Sequence, residues 1–187
     1  MRGKKDEIEL LHVYGIYPSK RLLLLSTAID EDSAREVCGN LIAMDFTEGP
    51  ITLVLNTPGG EWYNGMAIYD TIKACKNRIT ILGKGHVMSM GTIIMQAADE
   101  RIVTPHCRLM IHHGGDGYVG NSLDFIKAGA EATALQNIMV DIYLKCIREK
   151  KPTYTKKALM TLLGSDTYMS AADFVELGLA DKVDGDE

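Results

Sequence analysis

The stretch Pro50-Ile51-Thr52-Leu53-Val54-Leu55-Asn56-Thr57-Pro58-Gly59-Gly60 decides how this chain folds. From Ile51 to Leu55 it is β-prone and apolar on both faces, as parallel strands covered by helices are. The Pro-Gly-Gly turn ends the strand. A helix is expected from about Asn64, with Met66, Ala67, Ile68, Ile72 and Cys75 facing inward. Upstream, Leu22 to Ser26 reads as a buried strand. Asp30 then caps a helix carrying Ala34, Val37, Cys38, Leu41, Ile42 and Met44 at helical spacing. Downstream, Ile79-Thr80-Ile81-Leu82 is a third strand, followed by a loop at Gly85 and a helix from about Ser89 to Ala98. Two short strands, Arg101 to Thr104 and Arg108 to His112, flank Pro105. Strand and helix in alternation predict an α/β layer fold with right-handed crossovers. At 187 residues the chain fits a single domain, 1–187, with one sizeable core.

After a glycine-rich segment from Gly114 to Gly120, Asn121 caps a long helix, 121–150, reaching about Lys150. Leu135, Ile138, Met139, Ile142, Cys146 and Ile147 form its apolar stripe. Such a helix exceeds what one small core covers, so part of it is expected to project toward another subunit; the alternative is a long helix lying across its own sheet. Pro152 stops it, and a shorter helix follows with Leu159, Leu162 and Leu163. Ser170 opens the last helix, with Asp173 at the capping-box position and Gly178 as its stop.

A net charge of −5, with scattered Lys and Arg, excludes the basic footprint of nucleic-acid binding. Cys38, Cys75, Cys107 and Cys146 are far apart and form no C-x-x-C pair. They read as buried free thiols, which implies a reducing, cytoplasmic setting. The polar start Met1-Arg2-Gly3-Lys4-Lys5-Asp6-Glu7 does not resemble a signal peptide, and Leu22 to Leu25 is too short to span a bilayer. A soluble protein without a membrane partner is expected.

Three stretches carry candidate chemistry. In Gly85-His86-Val87-Met88-Ser89-Met90-Gly91 a serine lies between a strand-ending loop and a helix start, where unpaired N–H groups favour negative charge. Ser89 is then either a nucleophile beside the Met90 N–H or simply an N-cap. In Met110-Ile111-His112-His113-Gly114-Gly115 two histidines end an apolar strand. They should point to opposite faces, and parity alone does not choose which meets Ser89. The third group is a carboxylate that orients the imidazole. Asp166, in the irregular Gly164-Ser165-Asp166-Thr167-Tyr168-Met169, is the leading candidate, with Asp116 and Asp141 as alternatives. Gly59-Gly60 permits positive φ and can aim an N–H into a cleft, as the second half of an oxyanion hole. The histidines lack zinc-site spacing, and the glycine run contains no phosphate-binding motif. Neither a metal nor a cofactor is expected. The exposed run from Gly114 instead suits an edge that pairs with an extended peptide.

These segments, together with Gly65-Met66-Ala67-Ile68-Tyr69-Asp70-Thr71-Ile72 and Gly178-Leu179-Ala180-Asp181, resemble the Clp proteolytic subunit (ClpP) family of serine peptidases from about Leu22 to Val183. The resemblance implies a crotonase-like fold of repeated β-α-β units with a projecting handle helix. By motif it makes Ser89 the nucleophile, His112 rather than His113 the general base, and Asp166 the orienting acid. Gly60 and Met90 become the oxyanion donors. Gly59, Glu61, Gly114, Gly115 and Asp116 become substrate-binding positions. It further implies a homo-oligomer, a heptameric ring or two stacked as a tetradecamer, that encloses unfolded polypeptides and short peptides. A hexameric AAA+ unfoldase is the partner that relatives use.

Several positions depart from the family pattern. Val87 and Met88 stand where small residues precede the serine. Gly114 replaces a proline and Asp116 a glycine. Ser165 replaces an arginine that helps two rings communicate, and Met1 to Tyr17, within the divergent segment 1–21, lack the axial-loop pattern that contacts the ATPase. Two other functions compete. One is a ring subunit without activity. The other is a crotonase-type acyl-CoA enzyme, which would need a basic site for the CoA phosphates that the sequence does not display.

Overall fold

The computed structural model describes residues 4–115 and 121–185. In chain order the elements are α1 (Lys4–Tyr14), β1 (Ile16–Tyr17), a 3-10 turn (Pro18–Lys20), β2 (Leu22–Leu25), α2 (Glu31–Asp45), β3 (Ile51–Thr57), α3 (Trp62–Ala74), β4 (Ile79–Met88) and α4 (Met90–Met95). They continue as β5 (Glu100–Val103), β6 (Arg108–Ile111), α5 (Ser122–Lys150), α6 (Lys156–Leu163), β7 (Thr167–Met169), α7 (Ala171–Leu177) and β8 (Lys182–Val183). The parallel strands run in the order β2-β3-β4-β5-β8, with β1 antiparallel on one edge. This is the α/β arrangement of repeated β-α-β units expected from the alternating pattern.

Strand β4 is longer than its apolar core Ile79 to Leu82 suggested, because it changes partner along its length. Thr80 to Gly83 pair with β5, and His86 to Met88 pair with β6. Gly85, at φ 63°, marks the change. A Cβ there would stand 2.8 Å from Asn56 Oδ1, so the turn needs glycine both for its conformation and for space. Beyond it, β6 runs parallel to β4 and β7 returns antiparallel against β6. The sheet therefore forks, and the carboxyl ends of β3, β4 and β6 open onto one cleft.

Burial follows helical period, with instructive exceptions. Helix α2 begins at an Asp30 cap that accepts from Ser33 N–H, and it buries Ala34, Val37, Leu41 and Met44. Ile42, expected inside, is exposed, because the buried stripe is narrower than the run of apolar residues. In α3 Ala67, expected inside, is exposed, and Gly65 is buried. Met90 explains this: its side chain lies where a Cβ at position 65 would stand. Helix α4 ends at Met95, shorter than its apolar sequence suggested. Cys107 and Cys146 are buried, whereas Cys38 and Cys75 are only half-buried; all four are free. Burial pushes the Cys107 thiol up to about 11.

The long helix divides into two parts. Phe125 and Ile126 are exposed, and the segment gains a buried face only from Met139 onward, through Val140, Tyr143, Leu144, Cys146 and Ile147. Ile138, placed in the stripe by spacing, faces out, and Tyr143 and Val140 take the inward positions instead. Helix α1 has no counterpart among the sequence expectations. Glu7 holds it against the following 3-10 turn by accepting from the Ser19 N–H at 3.0 Å and the Ser19 hydroxyl at 2.7 Å.

One charge is taken deep into the fold. Arg101 is 8% exposed and pairs with Asp181, donating also to Gln96 Oε1 at 2.9 Å and Gly178 O at 3.2 Å. Burial disfavours its charge, yet the bond to Asp181 and that carboxylate's charge raise its pKa above the ordinary arginine value. Arg101→Met removes a buried cation, takes the guanidinium away from Asp181, which keeps only the bond from the backbone N–H of residue 101, and leaves Gln96 Oε1 without its donor. It is expected to destabilise the fold by about 3 kcal/mol, measured by urea unfolding.

Candidate active site

Strand registry brings the candidate residues together. Met88 pairs with Met110 across β4 and β6, so Ser89 leaves the end of β4 beside the end of β6. Ser89 N–H donates to Met110 O at 2.8 Å. His112 is the first residue beyond β6. On its other side, Ile111 pairs with Thr167 in the antiparallel β6–β7 ladder, so one more step along that ladder sets Asp166 opposite His112. Three residues distant in sequence thus meet through two ladders.

Their polar atoms meet as well. His112 Nε2 lies 2.8 Å from Ser89 Oγ, and His112 Nδ1 lies 3.0 Å from Asp166 Oδ1. Ser89 is the N-cap residue of α4, yet its side chain makes no capping bond. The hydroxyl faces the imidazole instead. The His112 side chain is 25% exposed and that of Asp166 57%, so the carboxylate sits at the rim and the ring lies further in. His113 turns elsewhere: its Nδ1 accepts from Gln136 Nε2 at 2.7 Å. Asp141, an alternative acid, is exposed on α5, and Asp116 lies outside the described residues.

Ser89 adopts φ 50° and ψ −124°, a backbone conformation sparsely populated by residues with a Cβ. Close packing holds it there. A Cβ on Gly59, itself at φ 96°, would stand 2.7 Å from Ser89 Cβ and 2.8 Å from Met88 O. Gly59 therefore lets the loop after β3 lie directly against the serine. Ile29 bonds the two peptide groups on either side of Gly60: Ile29 N–H donates to Gly59 O, and Glu61 N–H donates to Ile29 O, each at 2.9 Å. In a parallel bridge the middle residue's own N–H faces the other way. Gly59→Ala is expected to lower turnover of a peptide substrate tenfold to hundredfold while the protein stays folded by circular dichroism, since the added methyl displaces the Ser89 turn.

A cavity of about 520 Å³ opens beside these groups. Trp62, Met90, Ile93, Leu135 and Met139 give it apolar walls, and Gly60, Glu61, Gly114 and Gly115 also line it. Sequence reasoning missed Trp62, Ile93 and Gln136. Each is an ordinary helix residue, and only the packing of α3, α4 and α5 around one cleft reveals it. A smaller cavity of about 190 Å³ between α1, β2 and α2 contains none of the candidate residues. Among the described residues no cluster of histidine, cysteine or carboxylate side chains could hold a metal ion. Nor is any described helix long and apolar enough to cross a membrane.

Residues 4–187 match the family described as Clp protease. The chain is 31% identical to an ATP-dependent Clp protease proteolytic subunit of Deinococcus radiodurans, over 91% of this chain and 83% of the relative. It is 33% identical to ATP-dependent Clp protease proteolytic subunit 1 of Protochlamydia amoebophila, over 95% of this chain and 84% of that protein. A solved mutant of ClpP1 from Listeria monocytogenes superimposes with a TM-score of 0.80, covering 96% of this chain and 97% of the other, at 20% identity; that likeness speaks for the fold alone. The chain belongs to the Clp protease family and has the ClpP fold, which makes it a Clp-type peptidase by descent.

Proposed function

We propose that the chain is a serine endopeptidase in which Ser89, His112 and Asp166 form the catalytic triad. The observation that carries this reading is the Ser89 hydroxyl, which forgoes its capping role for a 2.8 Å contact with His112. His112 Nε2 takes the hydroxyl proton as Oγ attacks the scissile carbonyl, then returns it to the leaving amine. Asp166 holds the ring by accepting from Nδ1–H and balances the imidazolium while it lasts. The N–H groups of Gly60 and Met90 receive the developing oxyanion. Water then repeats the cycle on the acyl-enzyme. The apolar cavity walls accept a substrate side chain, and the backbone at Gly114 and Gly115 pairs with an extended peptide.

Unfolded polypeptides and short peptides are the proposed substrates, enclosed by a single domain, 1–187, that assembles as a ring. The exposed half of α5 supports such an assembly, with Phe125 and Ile126 on its surface. Relatives are named as proteolytic subunits of ATP-dependent proteases, so a AAA+ unfoldase belongs to the proposal, although Met1 to Tyr17 depart from the sequence pattern that would engage it. Four free thiols suit a cytoplasmic setting. Purified protein should cleave a short fluorogenic peptide without ATP. A well-folded oligomer with no turnover would favour the inactive ring subunit instead.

A further inference from the structure

Two buried hydroxyls beneath the cleft have no place in the reaction just described. Thr92, fully buried on α4, contacts both the Ser89 carbonyl oxygen and the Tyr143 hydroxyl, each at 2.6 Å from its Oγ1. Tyr143 comes from the inner half of α5 and is 1% exposed. The directions of these bonds follow from valence. A carbonyl only accepts, so the single Thr92 proton goes to Ser89 O, and the Tyr143 phenol must donate to Thr92 Oγ1. Burial holds that phenol's pKa well above its usual value, which keeps the proton in place. Thr92 N–H adds a second bond to the same carbonyl at 2.9 Å. Further down, Gln96 Nε2 donates to Thr92 O at 2.8 Å, and Gln96 in turn accepts from Arg101.

The Ser89 carbonyl belongs to the same planar peptide group as the Met90 N–H. In a trans peptide the two point in opposite directions. Fixing the oxygen therefore fixes the direction of the hydrogen. Bonds accepted by the oxygen also polarise the group and strengthen its N–H as a donor. The sparsely populated φ and ψ of Ser89 give this peptide reason to rotate away unless something restrains it.

We infer that Thr92 and Tyr143 are positioning residues that clamp the Ser89–Met90 peptide with its N–H aimed at the oxyanion, so that the handle helix α5 braces the catalytic turn through one phenol. The inference rests on Ser89 being the nucleophile. Its effect lies on the transition state, where the oxyanion forms, and not on substrate binding.

The test compares Thr92→Val, Tyr143→Phe and Thr92→Ser in the full chain, using a fluorogenic peptide and a peptide boronate. Thr92→Val keeps shape and loses the hydroxyl; it should lower kcat roughly tenfold to hundredfold with KM within about twofold. Tyr143→Phe should lower kcat by roughly threefold to tenfold, because Thr92 still donates but is no longer polarised. Thr92→Ser restores the hydroxyl and should recover most of the rate. Boronate affinity should fall in proportion to kcat across the series. Equal kcat in wild type and Thr92→Val would overturn the inference. So would a loss in Thr92→Ser matching that in Thr92→Val, or lost kcat with boronate affinity unchanged. A readout independent of turnover is the Met90 amide resonance in protein labelled with nitrogen-15 methionine. It should move in Thr92→Val and Tyr143→Phe far more than in Thr92→Ser, and an unmoved resonance counts against the clamp. Failure of the triad reading looks different: the wild type itself lacks turnover, whatever the Met90 amide does.

Discussion

Ser89→Ala should lower kcat for peptide hydrolysis by about 10⁴-fold or more, with KM nearly unchanged. The substitution removes one oxygen from a site whose neighbours do not lean on it for support. The Ser89 side chain caps nothing, and the turn is held by backbone bonds to Met110 and Thr92 and by the packing of Gly59. Stability should therefore stay close to that of wild type, so that lost activity cannot be ascribed to lost fold. The residual rate would come from the proposed oxyanion donors acting on a bound substrate with water as nucleophile. A variant that retained more than one-tenth of the wild-type rate would place the nucleophile elsewhere.

Asp166→Asn should cost about 10³-fold in kcat. An ionised Asp166 only accepts, so its bond to His112 Nδ1 requires the proton on that nitrogen and leaves Nε2 free to accept from Ser89. An asparagine can present its NH₂ group to Nδ1 instead. The proton then moves to Nε2, and the ring loses its capacity as a base toward the serine. The carboxylate is more than half exposed, so water softens its electrostatic contribution, and the loss should fall below that at Ser89. Because β7 begins at Thr167 and is held by its own ladder, the substitution should leave the fold intact, as thermal unfolding would verify.

Strands and helices were legible in the sequence where one period dominated a segment. Ile51 to Leu55 reads as a two-sided buried strand because neither face carries charge, and that strand lies near the middle of the sheet. The Asp30 and Ser170 caps were legible because both depend only on residues three positions apart. What escaped depends on distant partners. The second half of β4 exists because β6 is available to pair with it, which no property of Gly83 to Met88 announces. Ile42 and Ile138 look like core residues by spacing, yet face out because the neighbouring elements cover a narrower stripe.

At the candidate site the residue types were legible and their meeting was not. Serine, histidine and aspartate each had a plausible local role, and parity left His112 and His113 undecided. The choice between the two histidines rested on resemblance. Physically it follows from the two ladders, which place His112 between Ser89 and Asp166 and leave His113 to Gln136. Tyr143 escaped notice because its phenol matters only through Thr92, on another helix.

The most direct measurement reacts the purified protein with a fluorophosphonate and locates the adduct by peptide mass spectrometry. The account predicts a single modification on the peptide containing Ser89, abolished in Ser89→Ala and strongly slowed in His112→Ala. An adduct at another residue, or labelling that persists unchanged in Ser89→Ala, would contradict it.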